Sequence, residues 1–235
     1  MHSEISPSLH FASHTLQEFA LLFMAVVYVL RIIWLLSFPA GKERQAATGP
    51  PGTTPAKGIL YSWLNIGMPW GMESTRKKFF LYVQFVVFHL GVTVAIGLSI
   101  IIPYAPELLT SAVLVRLLQV MIWAAFIVGC MRIIRRFGLK YMRAISSPDD
   151  YFCLLLLTGW FFFAALSVNI HQQKGEFILI TYFWMTAFFL VYVPFSKISH
   201  YLYYPFTRYY FGKTMGYRGV YPMRRSVKPD WMNDS

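Results

Sequence analysis

Five stretches of the sequence, residues 19–38, 79–103, 108–131, 151–170 and 177–195, are runs of predominantly apolar residues. Each is close to the roughly 20 residues that a helix needs to cross a hydrocarbon core of about 30 Å. Backbone inside lipid has no water to bond, so runs of this length are predicted to be helices that satisfy their own N–H and C=O groups. The expected fold is therefore an all-α integral membrane protein with five transmembrane helices and no soluble domain. A membrane domain over residues 1–210 would be followed by a tail over 211–235. Composition points the same way: of 235 residues, 57% are hydrophobic, 18% aromatic and only 13% charged, with a mean hydropathy of +0.49.

The basic residues fall on one side of this plan. No Lys or Arg precedes the first run, none lies in "PYAPE" between runs two and three, and "HQQKGE" between runs four and five has only Lys174. The opposite side carries Lys42, Arg44, Lys57, Arg76, Lys77 and Lys78, then Arg132, Arg135, Arg136, Lys140 and Arg143, then Lys197 and the tail's Arg208, Lys213, Arg218, Arg224, Arg225 and Lys228. Lys and Arg in short loops stay cytoplasmic, so the amino terminus is expected outside and the carboxyl terminus inside. The net charge of +11 is thus mostly a topology signal. It leaves no folded basic domain for nucleic acid, and on the inner face it can meet anionic lipid or an acidic partner.

The first run lacks a basic flank before it and a small-residue cleavage pattern after it, so it is expected to stay in the mature chain. Cys130 and Cys153 lie in the apolar runs without a CxxC or CxxCH pattern, and read as small buried hydrophobes. No repeat of 20 to 50 residues is present. The Pro, Gly and Thr cluster at 46–58 reads as a flexible loop. After it, "ILYSWLNIGMPWGMESTRKK" suits a segment lying along the inner interface or against a partner. With the Tyr- and Arg-rich tail it is expected to form an inner-face docking surface; the plainer reading is an aromatic membrane belt with loose ends.

Of the six histidines, only His89 and His200 belong to the spanning region. His89 lies eleven residues beyond Lys78, which at about 1.5 Å per residue puts it roughly 16 Å above the charged inner edge. His200 is placed at the inner end of the fifth run. A lone imidazole in an apolar helix commonly hydrogen-bonds a neighbouring helix. Two on separate helices can instead sandwich a b-type haem without covalent attachment. The residues alone leave both readings open.

"LYVQFVVFHLGVTVAIG", "SPDDYFCLLLL" and above all "VPFSKISHYLYYPF" resemble the membrane cytochrome b (gamma) subunit of respiratory nitrate reductase and its relatives. These relatives include the membrane cytochromes of heterodisulfide reductase and of the dissimilatory sulfite-reductase-associated complex. The likeness extends from about residue 76 to residue 208. It implies five helices with an external amino terminus, in a bacterial or archaeal cytoplasmic membrane. It also implies two histidine ligands ten residues apart on helix two and two more eighteen apart on helix five. The inner-side pair of that pattern matches His89 and His200; the outer-side pair falls on Ser99 and Tyr182, neither of them histidine. The expectation is one haem b, held by His89 and His200. A second haem would need His10, His14, His171 or another subunit.

On one continuous helix, eighteen residues at about 100° each return to the same face, so Tyr182 is expected to point as His200 does. The same assumption puts His200 about 36 Å from Glu176, whereas His89 is about 21 Å from Pro103; an early helix start or a bend at Pro194 would reconcile the depths. Lys197, one turn before His200, is expected either to meet a haem propionate or to snorkel to the inner interface. Arg116, nine residues into the third run, needs an anion, a carbonyl or a wet cavity. It is a candidate for a quinone pocket with Tyr182 and Ser99, against structural pairing with helix ends.

The function expected from this resemblance is electron transfer between membrane quinone, menaquinone or ubiquinone, and an iron–sulfur or catalytic subunit on the cytoplasmic side. Other membrane or outer-side cytochrome subunits would complete the complex. A haem-free membrane anchor or assembly subunit on the same fold is the competing reading. A small transporter is disfavoured, since there are no repeated halves and no acidic residues near the midplane.

Overall fold

The computed structural model describes residues 6–41, 44–47, 52–71, 73–170 and 176–222. Its main helices are α1 (Pro7–Ser37), α2 (Pro55–Leu64), α3 (Phe79–Tyr104), α4 (Ala112–Gly138), α5 (Pro148–Ile170), α6 (Glu176–Tyr192) and α7 (His200–Tyr217). There is no strand among the described residues. Among the described residues five helices are long and apolar enough to cross a membrane, α1, α3, α4, α5 and α6, the last continuing as a 3₁₀ turn through Phe195. The chain is an all-α, multi-pass membrane protein.

The helix boundaries follow local chemistry. Ser6 accepts from the Leu9 amide and Pro7 opens α1, so that helix starts well before residue 19. Residues Phe11–Thr15 form a π turn, and Gln17 answers the widened ladder, its Nε2 donating to the carbonyls of Ala12 (2.9 Å) and Phe183 (2.8 Å). The third crossing also starts elsewhere than expected. Pro106–Thr110 is a 3₁₀ turn, and α4 begins at Ala112 with Ser111 as its cap. Part of the loop expected at 46–58 is helical too: Thr54 caps α2 and Pro55 occupies its first turn.

The end of the fifth crossing overturns one geometric expectation. Pro194 has no N–H to donate, and after Tyr192 the chain passes into a 3₁₀ turn over Val193–Phe195. Ser196 is extended (φ −101°, ψ 171°), and its hydroxyl accepts from the Ile198 amide. A second 3₁₀ turn, Lys197–Ser199, leads into α7. One extended residue resets the helical phase, so the same-face argument for Tyr182 and His200, which assumed one continuous helix, no longer applies. The depth arithmetic that assumed a continuous helix falls with it.

The chain divides into two compact units, Met1–Ser37 with Val83–Ser199, and Phe38–Tyr82 with His200–Ser235. The first is a bundle with an aromatic centre. Phe161, Phe183, Tyr182, Leu98 and Ile122 are fully buried, Phe88 packs edge-on to Phe161 at 5.2 Å, and Trp160 donates from Nε1 to the Thr186 hydroxyl at 2.9 Å. Helices α3 and α4 come close at Gly91, where an added Cβ would stand 2.1 Å from that of Ala125. Outward, Leu22, Val29, Ile33 and Trp34 on α1 are exposed, as a lipid-facing surface requires.

The second unit is built on a helix pair, α2 against α7, with almost no side chain between the backbones. A Cβ on Gly58 would lie 2.2 Å from the Gly212 carbonyl oxygen, one on Gly212 would lie 2.6 Å from Ile59 Cα, and one on Gly216 would lie 2.5 Å from the Thr54 carbonyl oxygen. Trp63 Nε1 donates to the Pro205 carbonyl at 3.0 Å and ties the pair together again. The Trp-rich segment and the aromatic tail expected at the inner face thus pack on each other.

Candidate cofactor site

His89 is half-buried on α3, with the Phe85 ring 4.2 Å away. Its Nδ1 is 2.8 Å from the Phe85 carbonyl oxygen one turn back. A carbonyl only accepts, so the neutral ring carries its proton on Nδ1 and its lone pair on Nε2. Metal-ligating histidines are commonly oriented in this way by a backbone carbonyl. The residue therefore fits an axial ligand of haem iron. Among the described residues no three His, Cys, Asp or Glu side chains converge as a metal-binding group; a haem asks for two axial ligands only.

His200 is the first residue of α7, exposed, with the Tyr201 ring edge-on at 6.4 Å. It belongs to the second unit and His89 to the first.

Lys197 has a partner within the protein. Its Nζ is 2.8 Å from the Ser147 hydroxyl and 3.2 Å from Asp150 Oδ1. Asp150 also receives Arg136 at 3.7 Å. The reason lies in "SPDD". Ser147 precedes α5, Pro148 opens it, and the Asp150 carboxylate turns back to accept from the Ser147 amide and hydroxyl, both at 2.8 Å. That is the reciprocal half of a capping box, and the negative charge sits where the helix dipole favours it. Next to it Tyr192 donates to Asp149, with Cys153 Sγ 3.3 Å from the same hydroxyl. Both cysteines are free thiols, Cys153 buried and Cys130 partly so.

The two positions that the resemblance assigns to an outer haem are filled differently. Tyr182 is fully buried between Trp160 and Phe183, and its hydroxyl donates to the Ala95 carbonyl on α3 at 2.5 Å. Ser99 borders that hydroxyl and donates to the Ile96 carbonyl at 2.7 Å. The structure thus brings Tyr182 and Ser99 together. Arg116 is exposed, and the later start of α4 puts it little more than one turn from the helix end, about 6 Å along the axis. A guanidinium there reaches the interface by snorkelling and needs no buried anion.

His10 and His14 stack at 4.6 Å, one turn apart on α1. His14 lies edge-on to Tyr104 at 5.3 Å, and Tyr104 donates to Glu18 at 2.7 Å. His171, like His2, Lys42, Lys174, Arg224, Arg225 and Lys228, lies outside the described residues.

Sequence reasoning passed over Arg132, whose guanidinium lies over the Phe88 ring at 4.6 Å, one residue from His89. Its charge was read only as topology, and no spacing in the sequence couples it to α3. Asp149 and Asp150 enter the sequence reading only as part of "SPDDYFCLLLL" and not as a cap, although Ser-Pro-Asp-Asp before an apolar run is a legible helix start.

No family model matches the chain, and no solved structure matches it. It is similar to a protein of Nitratidesulfovibrio vulgaris (strain Hildenborough), 24% identical over 174 residues, which cover 72% of this chain and 76% of that protein.

Proposed function

We propose that the chain is the haem b membrane subunit of a respiratory oxidoreductase complex in a bacterial or archaeal cytoplasmic membrane. In this reading its amino terminus is outside, and it carries electrons between membrane quinone and an iron–sulfur or catalytic partner subunit on the cytoplasmic side. The observation that carries the reading is the 2.8 Å approach of His89 Nδ1 to the Phe85 carbonyl oxygen within an apolar helix, which favours the Nδ1–H tautomer. The resemblance of "VPFSKISHYLYYPF" adds His200 as the second ligand. When bound, the haem supplies one-electron chemistry.

The chain's residues then have separable tasks. Phe85 fixes the His89 ring through its carbonyl, Arg132 covers the ring of Phe88, next to His89 in sequence, and Asp150 holds Lys197. Tyr182 closes the centre of the bundle. Among the candidates for a quinone pocket Arg116 is exposed, while half-buried Ser99 borders the buried Tyr182 hydroxyl. The test is a reduced-minus-oxidised absorbance spectrum of the purified protein, with haem counted per chain. A b-type band at one haem per chain, lost in His89→Ala and in His200→Ala, is the expected result.

A haem-free membrane anchor or assembly subunit is the second reading. The Lys197–Asp150 pair favours it, because that lysine is satisfied without a propionate. A colourless, stably assembled protein would establish it and overturn the first.

A further inference from the structure

The α2–α7 pair is inverted relative to a water-soluble helix pair. On α2 the residues turned to α7 are Gly58 and Ser62, both buried, and in the turn that follows Asn65 is buried too; Ser62 Oγ and Asn65 Nδ2 have no hydrogen-bond partner. The opposite face carries Leu60 (57% exposed) and Leu64 (54%), with Trp63 (43%) at its edge, its indole N–H reaching back to Pro205, and Trp70 (60%) follows beyond it. In water, the apolar stripe of a helix is the one that becomes buried. Here the small residues are inside and the large apolar ones outside. Helices associate in this small-against-small way where the surroundings are as apolar as the side chains.

The pair nevertheless cannot span a membrane. Helix α2 has 10 residues, half of the roughly 20 required. Helix α7 has 18 and carries Arg208 and Lys213. Its charge is one-sided as well. The described residues of this unit hold eight basic side chains, Arg44, Lys57, Arg76, Lys77, Lys78, Arg208, Lys213 and Arg218, against one acid, Glu73, which Lys77 engages at 2.6 Å. Apolar and tryptophan-bearing on one face, and basic overall, is the constitution of a helix that lies in the plane of an anionic interface.

We infer that the α2–α7 pair lies in the headgroup layer of the membrane, with Leu60, Trp63, Leu64 and Trp70 against the upper acyl chains and its basic residues on anionic phospholipid head groups. With five crossings, the segment between the first two and the segment after the last emerge on one side, so both helices meet the same leaflet. This surface owes nothing to a bound haem.

The full-length protein tests it in nanodiscs whose lipids are brominated in the upper half of the acyl chain, prepared with and without phosphatidylglycerol. The emission lost between the wild type and the Trp63→Phe/Trp70→Phe variant reports these two side chains. It is expected to fall at least about two-fold by bromolipid quenching when phosphatidylglycerol is present, and less without it. Trp70→Phe alone removes part of the quenchable emission while keeping the Trp63 bond to Pro205. Arg76→Gln/Lys78→Gln should lessen the dependence on anionic lipid. Emission quenched by aqueous iodide and not by bromolipid would overturn the inference. So would emission shielded from both quenchers, as a covering protein partner would leave it. Quenching independent of phosphatidylglycerol would overturn the anionic assignment.

Discussion

The two units of this chain solve the same packing problem with opposite materials. In the bundle of α1, α3, α4, α5 and α6, volume is supplied by large rings: Trp160 stacks near Tyr182 at 6.3 Å, Phe161 meets Phe88 edge-on, and hydroxyl and indole groups bond to carbonyls or to one another. In the α2–α7 pair, volume is removed, and glycine lets one backbone approach another. Several long helices enclose a centre that must be filled, whereas two short helices share a single line of contact that strengthens as it closes.

The first way to break the contrast is to empty the bundle. Phe161 is fully buried, with Phe88 beside it and the Gly91 position within reach of its ring. Phe161→Ala leaves a cavity that surrounding helices refill only in part, and is expected to cost about 3–5 kcal/mol. Thermal unfolding in a fixed detergent measures the loss. Hydrogen exchange over Pro55–Leu64 and His200–Tyr217 should stay as in the wild type. An equal rise in exchange there would refute the separation into units.

The converse is to fill the contact line. Gly212→Ala places a methyl group 2.6 Å from backbone atoms of α2, which cannot swing away as a side chain would. The expected cost is near the upper end of the roughly 1–3 kcal/mol for overpacking, seen as an approximately 100-fold faster amide exchange in α2 and α7. Exchange in α5 should not change. If Gly212→Ala is tolerated, the pair is looser than its backbone distances state.

These residues also show what could be read beforehand. The five crossings were legible because length and apolarity are properties of the sequence alone. Their ends were less so. The extension of α1 back to Pro7 rests on the Ser6 cap and a π turn, and the break after Tyr192 rests on Pro194 together with an extended Ser196. Apolarity is blind to both. The sequence "GKTMG" carries the small-xxx-small spacing, and Gly58 with Ser62 repeats it, yet the pattern gains meaning only once two distant segments are known to meet. For the candidate site, His89 stands out in the sequence as an imidazole in an apolar run, and Tyr182 as the residue at a ligand position of the resemblance; the structure makes Tyr182 fully buried and His89 half-buried. The bond from Tyr182 to Ala95 and the approach of Arg132 to Phe88 depend on helix rotations that no single-sequence pattern fixes.

Tyr182→Phe sharpens the aromatic side of the contrast. It keeps the ring between Trp160 and Phe183 and deletes only the hydroxyl that bonds Ala95. A net cost of about 1 kcal/mol is expected, the scale of one hydrogen bond, because the helical carbonyl keeps its own amide partner. Haem content should be unchanged if His89 and His200 are the ligands. A drop in haem per chain would make Tyr182 part of a cofactor site and end the single-haem proposal.

The smallest effect separates two roles for one side chain. Lys197 is 61% exposed and pairs with Asp150, which is less so at 23%. Exposed pairs of this kind contribute about 0–1 kcal/mol. If the pair is the reason for the lysine, Lys197→Gln and Asp150→Asn should each lower thermal stability slightly, and the double variant should lose less than the sum, with a coupling of about 0.2–1 kcal/mol. Asp150→Asn will cost more of the two, since the same carboxylate caps α5 through the Ser147 amide and also receives Arg136. If Lys197 instead serves a haem propionate, Lys197→Gln will shift the midpoint potential of the haem and Asp150→Asn will not reproduce that shift. Additive stability losses together with a potential shift confined to Lys197→Gln would therefore reassign the lysine from the protein's own carboxylate to the cofactor's.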